Sequence, residues 1–88
     1  MGYEYDPLKN ESNFKKHGIY LSEVEYFDWD NAIINEDFRL IYPEKRFEAM
    51  GYIEQKLHIL IFCFREKNIR VISLRKANRR EHITYAKT

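Results

Sequence analysis

Residues 46–54 alternate along the chain. Phe47, Ala49, Gly51 and Ile53 fall on one side, and Arg46, Glu48, Met50, Tyr52 and Glu54 on the other. A period of two marks a half-buried strand. The next run, Leu57–Arg65, is apolar on both sides, as expected of a strand at the centre of a sheet. A third run, Ile69–Arg75, is rich in β-branched residues and punctuated by Arg70 and Arg75. Strict alternation would place Val71, Ser73 and Arg75 on one face and Arg70, Ile72 and Leu74 on the other. Only Glu54-Gln55-Lys56 and Glu66-Lys67-Asn68 separate the three runs, so they must be antiparallel neighbours.

Helix signals flank this core. Asp6-Pro7 offers an acceptor side chain at the N-cap and a proline in the first turn. The helix they open is expected to reach about Lys16 and to stop at Gly18, with Lys15, Lys16 and His17 suiting its C-terminal dipole. Leu8 and Phe14 are its main apolar residues, so it should lie across an edge of the domain. Tyr3-Glu4-Tyr5 before it is a brief strand candidate. Ser22 and Glu25 read as the capping box of a second helix, with Leu21 and Tyr26 as a staple and Val24, Phe27 and Trp29 as its packing face. Asp30-Asn31 reads as a turn and Ala32–Asn35 as a short strand. Between Glu36 and Lys45, Pro43 breaks any regular pattern, and Phe38, Leu40, Ile41 and Tyr42 could either cover a sheet edge or offer a surface to a partner. After the third strand, Asn78 and Glu81 form a capping box for a C-terminal helix. The expected class is α+β: a twisted antiparallel sheet of about four strands with two N-terminal helices and a C-terminal helix.

Composition narrows the possibilities. The 88 residues, 44% hydrophobic and 16% aromatic, suit one globular domain spanning 1–88. Charged residues through the first twenty positions leave no room for a secretory hydrophobic region, and the run Ile59–Phe64 is too short to span a bilayer. A cytoplasmic protein with no membrane association is expected. The single cysteine, Cys63, lies in the apolar run and reads as a small buried hydrophobe. The net charge of +1 is unevenly spread: residues 1–63 hold seven Lys and Arg against twelve Asp and Glu, and residues 64–88 hold eight against two. A basic C-terminal quarter attracts polyanions locally, although it can equally be a solvated face.

The side chains with chemistry to offer are few. His17, His58 and His82 lack metal-ligand spacing, and no glycine-rich phosphate loop exists, so neither a metal nor a nucleotide cofactor is expected. Cleaving RNA without a metal needs a group to deprotonate the ribose 2′-OH, a cation to neutralise the phosphorane, and an acid for the leaving 5′ oxygen. Arginine suits the second role through its planar fork of donors. Arg46, Arg70 and Arg75 lie in or beside the strands, Arg79 and Arg80 open the last helix, and Ser73 adds a hydroxyl beside Arg75. Arg70 could instead make an edge ion pair. His17, next to Lys16, can shuttle protons near neutrality or cap its helix. His58 reads as packed and His82 as solvated. Glu81 is a general base or simply the capping-box carboxylate, and Tyr85 either stacks on a base or packs its helix to the sheet.

Three blocks of sequence carry a resemblance. The run I-R-V-I-S-x-R-x-A-x-x-x-E-x-x-x-Y, from Ile69 to Tyr85, is similar to the C-terminal signature of the BrnT ribonuclease toxins of type II toxin–antitoxin pairs. Asp6-Pro7-x-Lys9 with Asn13, Lys16-His17-Gly18 and Glu23 resembles that family's N-terminal block. Arg46-Phe47 with Gly51 resembles its central strand. The resemblance implies a RelE-like fold and metal-independent endoribonuclease activity that inhibits translation. It also implies a cognate antitoxin with a ribbon-helix-helix DNA-binding domain, held in a hetero-oligomer that represses its own operon. The apolar Phe38–Tyr42 stretch departs from the family, in which this connection is usually polar and acidic.

On this reading His17, Arg46, Arg75, Glu81 and Tyr85 are the catalytic candidates, and Lys16, Arg70, Ser73, Arg79 and Arg80 the RNA-binding ones. A non-catalytic RNA- or ribosome-binding module and a protein-interaction domain are the alternatives.

Overall fold

In a computed structural model, which describes residues 2–88, a five-stranded sheet carries helices on its two faces. The strands are β1 (Tyr3–Glu4), β2 (Ile33–Glu36), β3 (Phe47–Ile53), β4 (Lys56–Arg65) and β5 (Asn68–Lys76), in the spatial order β1-β5-β4-β3-β2. The β2–β3–β4–β5 ladder is antiparallel, as short turns require. The fifth strand corrects the expected all-antiparallel sheet of about four: Tyr3 and Glu4 pair in parallel with Ile69 and Arg70, making the sheet mixed. A two-residue strand has no pattern of its own. Its partner supplies the pairing.

The first helix, α1 (Pro7–His17), begins and ends as its signals indicate. Asp6 accepts a 2.8 Å hydrogen bond from the Leu8 N–H, and Gly18 terminates the helix in the left-handed conformation with φ 74°. Its attachment to the sheet is unusual, because Leu8 and Phe14 are exposed and Asn13 is its one buried residue. The Asn13 amide donates to the Leu74 carbonyl at 2.7 Å and to the Ile19 carbonyl at 2.8 Å, and its oxygen accepts a long 3.4 Å contact from the Leu74 N–H. A side-chain amide thus stands in for a missing strand along the open edge of β5.

The expected second helix is a 3-10 helix, Leu21–Tyr26, without a capping box. The Ser22 N–H donates to Asn10 on α1, at 3.3 Å. The physical reason is the spacing of its apolar residues: Leu21, Val24 and Phe27 are all buried and recur every third position, which matches the three residues per turn of a 3-10 helix. Phe27 lies past the helix and bridges to Ile53. Its ring lies against Gly51, where a Cβ would meet Phe27 Cζ at 2.5 Å. The core gathers between this layer and one face of the sheet, from Leu21, Val24, Phe27, Ala49, Leu60, Phe62, Val71 and Leu74.

Strand β4 is buried from Leu57 to Cys63, in keeping with a central strand. In β5, strict alternation fails. Its pairing with β4 shifts between Ile61 and Phe62, so Ile61 opposes Ser73, Phe62 opposes Val71, and Ile72 is left as a bulge. The bulge reverses the phase of the strand. Val71 and Leu74 both face the core, whereas Arg70, Ser73 and Arg75 share the opposite face. The expected placement of Val71 with Ser73 and Arg75, opposite Arg70, is corrected accordingly.

Residues 37–46 form a loop organised by Asp37. This buried carboxylate accepts bonds from the Arg39 backbone at 3.1 Å, from its guanidinium at 2.8 and 2.9 Å, and from the Tyr42 hydroxyl at 3.3 Å. The cluster holds the Asp37 carboxyl down to about 2, chiefly through the Arg39 hydrogen bonds. Phe38, Leu40 and Ile41 cover no edge and stand in solvent, Ile41 completely so. The last helix, α2 (Arg79–Ala86), has the expected reciprocal capping box between Asn78 and Glu81. None of the described helices is long and apolar enough to cross a membrane.

Candidate active site

The sheet face opposite the core carries the charged side chains. Strand pairing arranges them in rows: Cys63, Arg70 and Glu4 lie across one row, with Arg46 near enough for its charge to reach Cys63; Glu48, Ile61 and Ser73 lie across the next; and Met50, Ile59 and Arg75 lie across the third. Ile59, Ile61 and Cys63 form a buried apolar floor, so the guanidinium groups stand over low-dielectric material. Charges there act on a bound anion more strongly than they would in water.

Arg75 is the most tightly held of these arginines. Its Nη1 and Nη2 donate to Glu81 Oε1 and Oε2, both at 2.8 Å. Glu81 Oε1 also accepts the Asn78 N–H at 2.9 Å, so one carboxylate caps α2 and forks onto β5. The Arg75 hydrogen bonds pull the Glu81 carboxyl below its usual range despite burial, and they raise Arg75 in turn. Glu48 and Arg39 lie near enough for their charges to act on Arg75.

His17 occupies the last turn of α1, one turn beyond Asn13, and positions four apart share a helix face. Asn13 holds that face to Leu74, and His17 lies near enough to Arg75 for the arginine's charge to act on it. Burial lowers the His17 pKa first, and the charges of Lys16 and Arg75 lower it further. The imidazole is therefore neutral near pH 7. Lys16 itself is exposed.

At the other end of the face, Arg70 donates to Glu4 at 3.1 Å, and the same oxygen lies 3.8 Å from Arg65. The edge ion pair foreseen as the alternative for Arg70 is present. Arg46 stacks over the Tyr42 ring at 4.2 Å, and its Nε lies 3.6 Å from Glu44. That Nε is buried without a hydrogen-bond partner. Cys63 is buried between these arginines, and burial pushes its thiol pKa up.

The remaining candidates are not gathered into this cluster. The Tyr85 hydroxyl donates to the Asn31 carbonyl at 2.7 Å and its ring meets Tyr52 edge-on, so it fastens α2 to the turn before β2. Arg79 and Arg80 are exposed on the first turn of α2 and, among the described residues, make no ion pair. His58 is packed, its Nδ1 lying 2.8 Å from the Lys56 carbonyl, and His82 is exposed. Among the described residues, no three His, Cys, Asp or Glu side chains group as a metal site. Sequence reasoning left out Glu4, Arg39 and Glu44. Glu48 could have been found, because the alternation of β3 puts it on the face of Arg46.

The described residues form a small α+β domain that sets arginines over an apolar floor, each beside a carboxylate. The chain matches the family model described as ribonuclease toxin, BrnT, of type II toxin–antitoxin system, over residues 5–81, and it belongs to that family. Its activity is that of a ribonuclease toxin, with RNA as substrate and an antitoxin as partner. The matched span includes Lys16, His17, Arg46, Arg75 and Glu81 but ends before Tyr85. No curated protein matches the chain significantly.

Proposed function

We propose that the protein cleaves RNA internally by attack of the ribose 2′-OH on the adjacent phosphate, without a metal ion, leaving a 2′,3′-cyclic phosphate, and thereby inhibits translation in the cytoplasm. The observation that carries this reading is the Arg75 guanidinium fixed on Glu81 by two 2.8 Å hydrogen bonds, with its charge reaching His17, whose lowered pKa favours the neutral imidazole. A neutral histidine can take the 2′-OH proton and, once charged, return it to the leaving 5′ oxygen. Arg75 neutralises the phosphorane, and its preorganisation spares reorientation as charge develops. Glu81 is assigned here as the group that orients Arg75, because its lone pairs are already committed to Arg75 and Asn78. Lys16, Arg46, Arg70 and Ser73 bind the RNA backbone, and Arg79 and Arg80 draw it in from the exposed end of α2. Tyr85 supports α2.

The antitoxin in this reading carries a ribbon-helix-helix DNA-binding domain, and the hetero-oligomer represses its own operon. The test is to incubate the purified, antitoxin-free protein with labelled RNA in EDTA and to analyse the product ends. Cyclic phosphate ends from the wild type, lost in Arg75→Ala, support the mechanism. Intact RNA with a folded protein overturns cleavage of free RNA.

A further inference from the structure

The arginines of the site fall into two groups, and only one surrounds the proposed reaction centre. Arg75 lies in the row of Ile59, whereas Arg46 and Arg70 flank Cys63, four residues further along β4. At roughly 3.4 Å per residue their backbone positions stand about 13 Å apart. Arg75 is tied to Glu81 and Arg70 to Glu4, which holds the two guanidinium groups on separate partners.

The second group has its own enclosure. A cavity of about 380 Å³ opens beside it, lined by Glu44, Cys63, Phe64, Arg65 and Arg70. Arg70 comes from β5 and Arg65 from the end of β4, and the charge of Arg46, the residue before β3, reaches Cys63 on the cavity wall. Glu44 lines the cavity and Glu4 pairs with Arg65 and Arg70, so the two carboxylates leave the three arginines with one excess positive charge. They occupy only part of the donor capacity, since each guanidinium carries five N–H groups in a rigid fork. Among the described residues, Arg46 Nε is buried, 3.6 Å from Glu44 and without a hydrogen bond, so its donor capacity is not used up.

We infer that Arg46, Arg65 and Arg70 form a second phosphate subsite, which binds the RNA backbone roughly two nucleotide steps from the bond cut beside Arg75. The inference rests on the reading of this face as the RNA-binding surface. The strand crosses the sheet along β5, with one phosphate at Arg75 and another over Cys63, so short RNAs reach only the first subsite. The subsite recognises the phosphodiester and reads no base.

The test measures affinity for 2′-deoxy oligonucleotides, which cannot be cleaved by 2′-OH attack, carrying one, two, three or four phosphates. With the wild type, affinity is expected to step up about tenfold once the chain is long enough to reach both subsites, and to change little with each phosphate before that. Arg65→Gln removes an exposed side chain and keeps the fold, and it should lower the step severalfold. Arg70→Gln should abolish it, and Arg70→Lys should restore part of it, with thermal melts checking that β1 stays paired. Arg75→Gln should instead weaken every length. A smooth gain per phosphate, equal weakening of all lengths by Arg65→Gln and Arg70→Gln, or no binding at any length overturns the inference. Cleavage is scored separately. A wild type that cuts RNA but shows no step sinks this subsite alone, and one that shows the step but cuts nothing sinks the catalytic reading alone.

Discussion

Arg75 and Glu81 meet through two parallel hydrogen bonds of 2.8 Å, and the same Glu81 closes the capping box on Asn78. Arg75 and the first turn of α2 are therefore one mechanical unit.

Glu81→Gln separates the two functions of that carboxylate, because the amide oxygen can still accept the Asn78 N–H but cannot take both Arg75 donors as an anion. RNA cleavage should fall at least tenfold, while stability drops by about 1 kcal/mol, the usual scale for a partly exposed pair. Cleavage assays and thermal melts on the same samples check this. The folded pKa of Glu81 is depressed, so its contribution to stability is present above 4.5 and disappears as pH falls through the lower folded value. An unchanged rate in Glu81→Gln would assign the carboxylate to capping alone.

On the proposed mechanism, His17 should set the acid limb of the rate profile. Its pKa is lowered below 6.5, mainly by burial and then by Lys16 and Arg75, so kcat/KM should rise with pH through a midpoint below 6.5. Lys16→Gln removes a positive neighbour, which should move the midpoint upward. His17→Asn should cost about 10²–10⁴ in rate and flatten the limb. A limb that persists in His17→Asn belongs to another group.

Protonation of His58 should weaken the fold. The ring is 3% exposed, and burial is the first cause of its lowered pKa. A depressed folded pKa means that its contribution is present above 6.5 and is lost as pH falls through the folded value, since the unfolded chain binds the proton more readily. Denaturant unfolding at several pH values should show this decline in the wild type, and the decline should be smaller in His58→Gln.

Gly51 is required for room, not for backbone conformation. A Cβ there would meet the Phe27 ring at 2.5 Å, so Gly51→Ala should cost about 1–3 kcal/mol through overpacking. Phe27→Leu should be less harmful in Gly51→Ala than in the wild type, and a double-mutant cycle by chemical denaturation measures the coupling. Additive costs would mean that the two positions do not share that space.

Asn13 should link stability to the proposed catalysis. Asn13→Ala leaves the buried Leu74 carbonyl and the half-buried Ile19 carbonyl without their donor, a loss of about 1–3 kcal/mol. It also frees the turn of α1 that carries His17, so the rate should fall beyond what the unfolded fraction explains. Cleavage measured well below the melting temperature separates the two effects.

Local signals of short range were legible in the chain. The Asp6-Pro7 start, the Gly18 stop, the Asn78–Glu81 box, the alternation of β3 and the apolar run of β4 each act within a few residues, and each is present in the structure. The face carrying Arg75 and Ser73 was legible only in part. Both were foreseen together, but the Ile72 bulge, which depends on how β5 seats against β4, brings Arg70 to the same side.

The sequence by itself determined the α+β class, the central hairpins, the caps of α1 and α2, and the residue types able to grip a phosphate. Those follow from periodicity, turn chemistry and donor geometry, which need no distant partner. Only the tertiary structure decided that the Tyr3–Glu4 strand candidate pairs in parallel with β5, that residues 21–26 wind as a 3-10 helix, and that the charge of Arg75 reaches His17. The reason is the same in each case: the stabilising contact comes from residues far along the chain, with Ile69 and Arg70 pairing β1 and Leu74 anchoring Asn13. The fold must already exist before those contacts can form.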